Sequence, residues 1–418
     1  MRQKVLSSEN DMVKMIEGGV TAAKGFKAGG INAGIRKGKT KNDLALIVSE
    51  CECAAAGLFT RNKVKAAPVQ LDIETVKSGK AMAIIANSGN ANACAPNDML
   101  NAKKMQKCAA DALGIDADLV LTGSTGVIGQ ELNIAAVEEG MDALIASLSD
   151  SAAGSDEAAK AIMTTDTVKK EQAVQVEING TTVTAGGISK GSGMIHPNMG
   201  TMLCYITTDC AIDAVTLKQV LKEVCDVTFN RISVDGDTST NDSLIILANG
   251  MAGNEPVEIN TEAYQTFKDA LLALCTDLAR RMAADGEGAK HLITCTVAGC
   301  ENEQKAETLS KSVIGSSLTK AAVFGCDANW GRVICALGYS GCDFDPLKVD
   351  ISFSSDAGKV DVCEAGKGLA FDEDLALEIL KQPEVIISVN MNEGTASATC
   401  WGCDLTYDYV QINGDYRT

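Results

Sequence analysis

The chain has 418 residues, of which 46% are hydrophobic and only 4% aromatic, and its formal net charge is −18. This length is enough for one large α/β unit or for a few domains around a substantial core. The acidic balance disfavours binding to nucleic acid or to anionic membranes, so an anionic substrate would need a local cationic site.

Cysteine usage and the N-terminus indicate a cytoplasmic protein. The sixteen cysteines are scattered, mostly within apolar segments, and the N-terminus has no apolar signal region. No apolar run approaches the ~18 residues that cross a membrane. The close pairs are Cys51 with Cys53 and Cys400 with Cys403, and the chain has only two histidines. We therefore expect buried packing thiols and no metal site.

Hydrophobic periodicity predicts alternating strands and helices in the first half of the chain. We predict strands over 43–49, 81–86 and 118–122, and helices over 102–113 and 133–147. The dipeptide Asn179-Gly180 joins two strand-like runs, 173–178 and 181–184. Asn-Gly supplies both positive φ angles of a tight turn, so it predicts a β-hairpin.

The second half continues the alternation and then becomes rich in strands. We predict strands over 201–208, 243–247, 291–297, 348–353, 360–363 and 385–389, helices over 214–224, 261–284 and 310–323, and a C-terminal hairpin. Frequent hairpins argue against a doubly wound parallel sheet. The predicted fold class is α/β (α+β): a layered sandwich of mixed or antiparallel sheets covered by helices.

The joint between Gly200 and Thr201 is the strongest functional signal. A Gly/Pro-rich loop from Lys190 ends there, and an apolar strand follows. Gly200 lacks a Cβ that would block attack on its carbonyl, so Thr201 can cut the chain before itself. An N-terminal Thr then carries a hydroxyl nucleophile and an amine base. The alternative is an ordinary tight loop; a phosphate-binding loop is excluded because no Gly-Lys-Ser/Thr opens a helix here.

A glycine-rich turn, Gly123-Ser-Thr-Gly-Val-Ile-Gly129, follows a predicted strand. It suits an oxyanion hole, in which the Thr125 hydroxyl and the Gly126 N–H face a developing negative oxygen. A capped strand-to-helix turn is an equally good interpretation. The glycine spacing is also weak evidence for a dinucleotide site, without the required βαβ context.

Glu287 follows the longest predicted helix, where the negative end of the helix dipole disfavours an acidic group. This placement suggests that Glu287 binds a substrate ammonium or positions a proton, although a solvated, Gly-capped helix end is the simpler interpretation. Segments 163–167 and 327–332 are polar turns. For 327–332 the functional alternative is that it lines a cleft.

Taken together, several motifs resemble the ornithine acetyltransferase (glutamate N-acetyltransferase) family. They are Lys190-Gly-Ser-Gly-Met-Ile195, Pro197-Asn-Met199, Thr201-Met-Leu203, Thr207-Thr-Asp209, Ser124-Thr-Gly126, Met163-Thr-Thr-Asp-Thr167, Gly325-Cys-Asp-Ala-Asn-Trp-Gly-Arg332 and the ending from Asp404 to Thr418. The resemblance implies two stacked sheets with helices outside. It also implies self-cleavage into an α chain, 1–200, and a β chain, 201–418, which stay associated as an α2β2 heterotetramer.

The resemblance further implies acetyl transfer from N2-acetyl-L-ornithine to L-glutamate through an acetyl ester on Thr201, in arginine biosynthesis. Thr125 and Gly126 would form the oxyanion hole. Substrate contacts carry over to Thr164, Lys190, Thr201, Glu287, Asn413 and Thr418. No bound cofactor or metal is implied, and acetyl-CoA stays open as a second co-substrate. The acidic surface, with no evident basic nucleotide groove, favours acetylornithine as the only donor.

Two residues depart from the family pattern. Gly200 stands where the family more often has Ala, and His196 where a small residue is usual. We expect cleavage at Gly200 and a passive role for His196. Three other functions remain open: an amidase or aminopeptidase of the same nucleophile type, a non-catalytic binding protein that is not cut, and a dinucleotide-dependent oxidoreductase.

Overall fold

A computed structural model of the chain describes residues 13–196 and 202–415. The strands are β1 (Lys14–Ile16), β2 (Phe26–Ile31), β3 (Leu44–Phe59), β4 (Lys80–Asn87), β5 (Val120–Ser124), β6 (Lys170–Ile178), β7 (Thr181–Lys190), β8 (Leu203–Thr208), β9 (Ile232–Ser233), β10 (Ser243–Ala248), β11 (Leu292–Cys300), β12 (Asp350–Ser355), β13 (Gly358–Glu364), β14 (Lys367–Gly368), β15 (Glu384–Asn390) and β16 (Ala396–Cys403). The α-helices are α1 (Ala67–Thr75), α2 (Asp98–Leu113), α3 (Ile134–Ala146), α4 (Ala152–Ala161), α5 (Ala214–Val227), α6 (Glu262–Ala284), α7 (Glu303–Gly315), α8 (Ser317–Phe324), α9 (Trp330–Gly338), α10 (Glu373–Leu380) and α11 (Tyr407–Asp415).

The described strands form two mixed sheets. The first has nine strands, in the order β1-β6-β7-β8-β10-β3-β4-β5 with β2 paired to β3. The second has seven, in the order β14-β13-β12-β15-β11-β16-β9. Most pairs are antiparallel, whereas β8 with β10, β4 with β5, β11 with β15 and β16 with β9 are parallel. The predicted class of layered mixed sheets with helices is confirmed.

The middle of the first sheet is covered on both faces. Along β8, Cys204 and Ile206 pack into one apolar cluster with α5 and α6, while Leu203 and Tyr205 pack into another. Burial on both faces explains why this strand reads as an unbroken apolar run and not as an alternating one.

The longest helix, α6, packs against both sheets. It contacts β6 and β7 of the first sheet, and β11 and β16 of the second. Eleven of its 23 residues are buried. This number is larger than a single apolar stripe along a helix would need. Thr261 caps it by accepting a hydrogen bond from the Tyr264 N–H. Its packing against both sheets fixes α6 between the layers.

Most predicted elements are present, and the Asn179-Gly180 hairpin forms with φ angles of 49° and 78°. The single helix predicted over 310–323 is wrong: Ser316 adopts an extended conformation and caps a new helix, so α7 and α8 are separate. The predicted C-terminal hairpin is also wrong. Strand β16 pairs with β11 and β9, and the chain then forms α11.

Three strand ends of the first sheet meet where the functional segments lie. Lys190, the last residue of β7, pairs with Leu203 at the start of β8, and Leu203 pairs with Ser243 at the start of β10. The predicted boundary between 200 and 201 therefore falls between two neighbouring strands of one sheet.

Candidate active site

A cavity of about 140 Å³ lies at these strand ends. Its lining includes six of the residues singled out in the sequence: Thr125, Gly126, Thr164, Lys190, Glu287 and Asn413. They come from segments that are far apart in the chain. Gly200, Thr201 and Thr418 lie outside the described residues, but Met202, next to the predicted nucleophile, also lines the cavity. The roles of these residues stay predictions.

The glycine-rich turn after β5 has a backbone conformation that requires glycine. Gly126 has a φ of +132°, and a Cβ there would lie 3.0 Å from the Asn90 nitrogen. The neighbouring Thr125 N–H donates to the Asn87 carbonyl at 2.9 Å. Because a side chain at Gly126 would be strained and crowded, the turn presents main chain to the cavity at this position.

Asn87 holds this turn in place from beneath. Its Oδ1 accepts hydrogen bonds from the Gly89 and Asn90 N–H groups at 3.1 and 3.0 Å, and its Nδ2 donates to Ser124 Oγ at 2.7 Å. Asn87 is fully buried. Buried, satisfied polar groups of this kind rigidify their surroundings, which suits a site that must hold hydrogen-bond donors in fixed positions.

A second support for the turn was missed by sequence reasoning. Asn241, just before β10, donates from Nδ2 to the Ser124 carbonyl at 2.8 Å and to the Ala91 carbonyl at 2.6 Å. Segment 239–242 also lines the cavity. No local pattern marks this segment, because its partners are more than 100 residues away in the chain.

Lys190 is buried at the cavity wall, with 7% of its surface exposed. Its Nζ lies 4.0 Å from Asp166 Oδ2. Burial lowers the pKa of Lys190, while Asp166 opposes that shift. Among residues 13–196 and 202–415, its ion pair is this distant one with Asp166, and Glu287 is a further carboxylate that acts on it. Such a buried cation can accept another anionic group, such as a substrate carboxylate.

Asp166 connects Lys190 to the surrounding loops. It accepts hydrogen bonds from Lys170 Nζ at 2.7 Å, the Gly191 N–H at 2.8 Å and the Thr164 N–H at 3.1 Å. Burial raises the pKa of Asp166, but Lys190 and Lys170 outweigh it and hold that pKa below its usual range. The carboxylate therefore stays ionised and positions two cavity residues, Thr164 and Lys190.

The fully buried Lys170 also contacts Asp285 Oδ2 at 2.6 Å. Asp285 follows the last residue of α6, where the helix dipole disfavours negative charge. Lys170 offsets this cost, and the Thr167 N–H adds a hydrogen bond at 3.1 Å. Sequence reasoning had identified the acidic end of this helix but not the buried lysine that neutralises it.

Glu287 lies in the turn after α6, with 7% of its surface exposed. Its Oε2 accepts a hydrogen bond from Asn413 Nδ2 at 2.6 Å. Gly193 faces it so closely that a Cβ there would lie 2.5 Å from the carboxylate atoms. This carboxylate and the Lys190 ammonium both line the cavity, so it offers one negative and one positive group to a zwitterionic ligand.

The structure also describes two other features named in the sequence, segment 327–332 and His196. Segment 327–332 does not line the cavity: Asn329 caps α9 by accepting from the Arg332 N–H. His196 is half-buried, with Nδ1 3.0 Å from Ser233 Oγ, and burial lowers its pKa. Burial therefore favours the neutral form of the ring.

All sixteen cysteines are free thiols, and ten of them are buried. Among residues 13–196 and 202–415, no three His, Cys, Asp or Glu side chains come together to hold a metal ion. No helix in the described part of the chain is both long and apolar enough to cross a membrane.

The fold consists of layered mixed sheets, and the cavity is lined by hydroxyl, ammonium, carboxylate and amide groups. Together they define an α/β enzyme with a polar small-molecule site. A model of the ArgJ family matches residues 27–418, and the chain belongs to that family. This match confirms the resemblance seen in the sequence, and with it the acyltransferase class and the role in arginine biosynthesis.

Two sequence relatives align over nearly the whole chain. The arginine biosynthesis bifunctional protein ArgJ of Symbiobacterium thermophilum is 50% identical over 408 residues, which are 97% of this chain and 100% of the relative. The glutamate N-acetyltransferase of Methanocaldococcus jannaschii is 46% identical over 97% of this chain and 100% of the relative. The crystal structure of Bacillus halodurans ArgJ is 43% identical, with a TM-score of 0.48 over 50% of this chain and 97% of that chain.

Proposed function

We propose that this enzyme transfers the acetyl group of N2-acetyl-L-ornithine to L-glutamate, giving L-ornithine and N-acetyl-L-glutamate. The observation that carries the proposal is the convergence of Thr125, Gly126, Lys190 and Glu287 on the cavity beside Met202. These groups supply what an acyl transfer between amino acids needs: hydrogen-bond donors for an oxyanion, and opposite charges for the two ends of the substrate.

Thr201 is the nucleophile in this proposal, and it becomes the N-terminus of a β chain, 201–418, when the bond after Gly200 is cut. The α chain, 1–200, stays associated through the pairing of β7 with β8. The free α-amine of Thr201 has an ordinary pKa of about 7.7–8.0, so it can take a proton from the hydroxyl at neutral pH. Two αβ units form the assembly, an α2β2 heterotetramer.

Acetyl transfer then follows a double displacement. Thr201 Oγ attacks the acetyl carbonyl of acetylornithine, and the amine takes the hydroxyl proton. Thr125 and Gly126 stabilise the oxyanion, the C–N bond breaks, and the proton passes to the leaving amine of ornithine. Glutamate attacks the acetyl-Thr201 ester through its own amine and leaves as N-acetylglutamate, which restores the hydroxyl.

Charge complementarity assigns the binding roles. Lys190 binds a substrate carboxylate, and Glu287, held by Asn413, binds the side-chain ammonium of ornithine. Thr164 lies on the same wall, with its N–H bonded to Asp166. Thr418 completes the contacts expected from the resemblance.

Acetyl-CoA would serve as a second donor, contrary to the expectation from the acidic surface, since the relative from Symbiobacterium is named a bifunctional protein. The chemistry needs no bound cofactor or metal. A cytoplasmic location suits its sixteen free thiols.

Intact mass spectrometry of the purified protein and its Thr201→Ala variant tests the nucleophile. We expect two fragments that meet between Gly200 and Thr201, and a single chain in the variant. An acetylornithine assay with and without glutamate then tests the reaction. Ornithine release that needs no glutamate would make the enzyme an amidase, and an uncut, inactive native chain would leave a binding protein.

A further inference from the structure

Tyr205 is the largest fully buried side chain in the described ranges of the chain. It is the third residue of β8 and comes four residues after the predicted nucleophile, Thr201. It packs into the apolar cluster that also contains Leu121 of β5. A tyrosine is an unusual residue for such a place, because its hydroxyl is removed from water together with the ring.

The hydroxyl of Tyr205 lies against Gly123, in the strand that leads to the oxyanion turn. A Cβ at Gly123 would lie 1.9 Å from Tyr205 Oη and 3.1 Å from its Cζ. Gly123 belongs to β5 and its φ is not positive, so its backbone does not require glycine. The missing side chain instead makes room for the hydroxyl, as glycine in a strand does where another group approaches closely.

This contact crosses one face of the first sheet. Strands β10, β3 and β4 lie between β8 and β5 in the sheet order. With neighbours about 4.8 Å apart, a flat sheet would separate β8 from β5 by about 19 Å, beyond the reach of one side chain. The sheet is therefore strongly curved, and Tyr205 bridges its concave face, from the strand after the nucleophile to the strand before the oxyanion turn.

The hydroxyl contributes little to the stability of the fold. Among residues 13–196 and 202–415, Tyr205 Oη has no hydrogen-bond partner. Burial and, to a smaller extent, the nearby Asp72 carboxyl raise the pKa of Tyr205 well above its usual value, so the hydroxyl stays protonated. Burying a hydroxyl without a hydrogen bond costs free energy. The contact of the hydroxyl with Gly123 therefore needs another explanation than stability.

Buried polar groups fix the residues on either side of Gly123. Asp72 of α1 is fully buried, and its Oδ1 accepts hydrogen bonds from the Thr122 N–H and Oγ1 at 2.8 and 2.9 Å. Ser124 Oγ accepts from Asn87 Nδ2 at 2.7 Å. Because Thr122 and Ser124 are held in this way, a shift at Gly123 would be passed along the chain to the oxyanion turn.

We propose that Tyr205 is a positioning residue for acetyl transfer: its hydroxyl, in contact with Gly123, sets the spacing between the strand that follows the nucleophile and the oxyanion turn. The inference rests on the proposed function, in which Thr201 is the nucleophile and Thr125 and Gly126 form the oxyanion hole. Catalytic groups must be held to within about 0.5 Å of their productive positions. A rigid ring with a hydroxyl at its tip is suited to fix such a distance.

The Tyr205→Phe variant removes the hydroxyl and keeps the ring. We expect kcat for transfer from acetylornithine to glutamate to fall by about tenfold to a hundredfold while both Michaelis constants stay within about twofold, because an oxyanion is present only in the transition state. The midpoint of urea unfolding, measured in the uncleaved Thr201→Ala protein, should not fall, since the lost hydroxyl has no hydrogen-bond partner in the described chain. A role in stability alone predicts the reverse, a lower midpoint and a native kcat.

Gly123→Ala provides the complementary change. In the native background its Cβ would collide with Tyr205 Oη, so kcat should fall at least as much as in Tyr205→Phe. When the two substitutions are combined, the Cβ fills the space that the hydroxyl leaves, and its contacts at 3.1 Å with the ring Cζ and with Ala86 Cβ need shifts of a few tenths of an ångström. The double variant should recover kcat to within about threefold of the native value. Losses of kcat that simply add would overturn the inference.

Hydrogen exchange of segment 120–130, followed by mass spectrometry, reports on the turn without turnover. Exchange should be faster in Tyr205→Phe than in the native enzyme, and it should return towards the native rate in the double variant. Tyr264→Phe is the matched control. Tyr264, near the start of α6, is also a buried tyrosine but does not line the cavity. The control should show native kcat and native exchange.

The two measurements separate this inference from the function on which it rests. If the native enzyme transfers acetyl groups but the variants change neither kcat nor exchange, Tyr205 does not position the turn and the proposed function stands. If exchange changes as expected but the native enzyme transfers no acetyl group from acetylornithine to glutamate, the positioning of the turn by Tyr205 is supported and the proposed function is wrong.

Discussion

Asn413 Nδ2 lies 2.6 Å from Glu287 Oε2, and this hydrogen bond joins the C-terminal helix α11 to the turn after α6 across 126 residues of sequence. No residue of α11 is buried, so few apolar contacts hold the helix in place. The bond therefore orients a carboxylate of the cavity and anchors the helix that delivers Asn413.

Replacing Asn413 with Ala should raise the Michaelis constant for acetylornithine and lower kcat/KM by about tenfold, because hydrogen bonds to charged groups contribute roughly 1.5–3 kcal/mol. Steady-state kinetics measure the effect. Gln411→Ala, at an exposed position on the same helix, is the matched control and should behave as the native enzyme. Equal kinetics for the two variants would contradict a role for Asn413 in orienting Glu287.

The burial of Lys190 leads to a specific pH dependence of the Michaelis constant for glutamate. Burial lowers its pKa, so its ammonium loses its charge at a lower pH than an exposed lysine, which titrates near ~10.4. An ammonium is charged below its pKa, so carboxylate binding should weaken as the pH rises. The Michaelis constant for glutamate should therefore increase on the alkaline side in the native enzyme.

Lys190→Arg provides the test, because arginine stays charged throughout that range. The alkaline rise should disappear in this variant, whatever its absolute Michaelis constant, and the control Lys348→Arg should keep it. The Thr201 amine would act in the opposite sense, since a base gains activity as it loses its proton. A native profile that stays flat would show that Lys190 does not bind the glutamate carboxylate.

Sequence patterns predicted the parts of this molecule that depend on local signals. Period-2 and helical patterns located most elements, and three side chains chosen from the sequence, those of Thr125, Lys190 and Glu287, line one cavity. The buried group around Asp166 was not predictable, because Lys170 and Asp285 are 115 residues apart. Helix α11 was mistaken for a strand since Tyr407, Tyr409 and Val410 favour β structure. Its helical state depends on tertiary contacts, such as that of Asn413.

Lys170 is expected to be essential for stability. It is fully buried between Asp166 and Asp285, at 2.7 and 2.6 Å. Lys170→Met would leave two buried carboxylates without their shared cation, which costs about 3–5 kcal/mol. The adjacent Lys169 is the control: its exposed pairs with Asp156 and Glu171 contribute under about 1 kcal/mol.

The midpoint of urea unfolding measures how much each substitution, at Lys170 or at Lys169, destabilises the protein. All variants are made in the Thr201→Ala protein, so that the chain stays in one piece. Lys170→Met should lower the midpoint strongly and Lys169→Met only slightly. Adding Asp285→Asn to Lys170→Met should recover part of the loss, since it removes one uncompensated charge. Similar midpoints for the Lys169 and Lys170 variants would refute the proposed charge balance.

Asp235 should control the rate at which the chain cuts itself. Its carboxylate accepts from the Met194 N–H at 2.6 Å and the Ile195 N–H at 2.8 Å, in the loop that leads to Gly200, and from the Tyr409 hydroxyl at 3.3 Å. Removing these bonds would loosen the loop that presents the scissile bond, and a misplaced reacting group reacts more slowly. Asp235→Ala should therefore slow cleavage by about tenfold or more, the cost of losing charge-assisted hydrogen bonds.

A time course of precursor cleavage after rapid purification, followed by gel electrophoresis, measures this rate. Asp237→Ala removes an exposed carboxylate two residues away and should cleave at the native rate. Tyr409→Phe should keep the two bonds to the loop and cleave nearly normally, because only the weakest of the three contacts is lost. Cleavage of Asp235→Ala at the native rate would mean that the loop is held by other contacts, such as that of Thr238 Oγ1 with the His196 carbonyl at 2.9 Å.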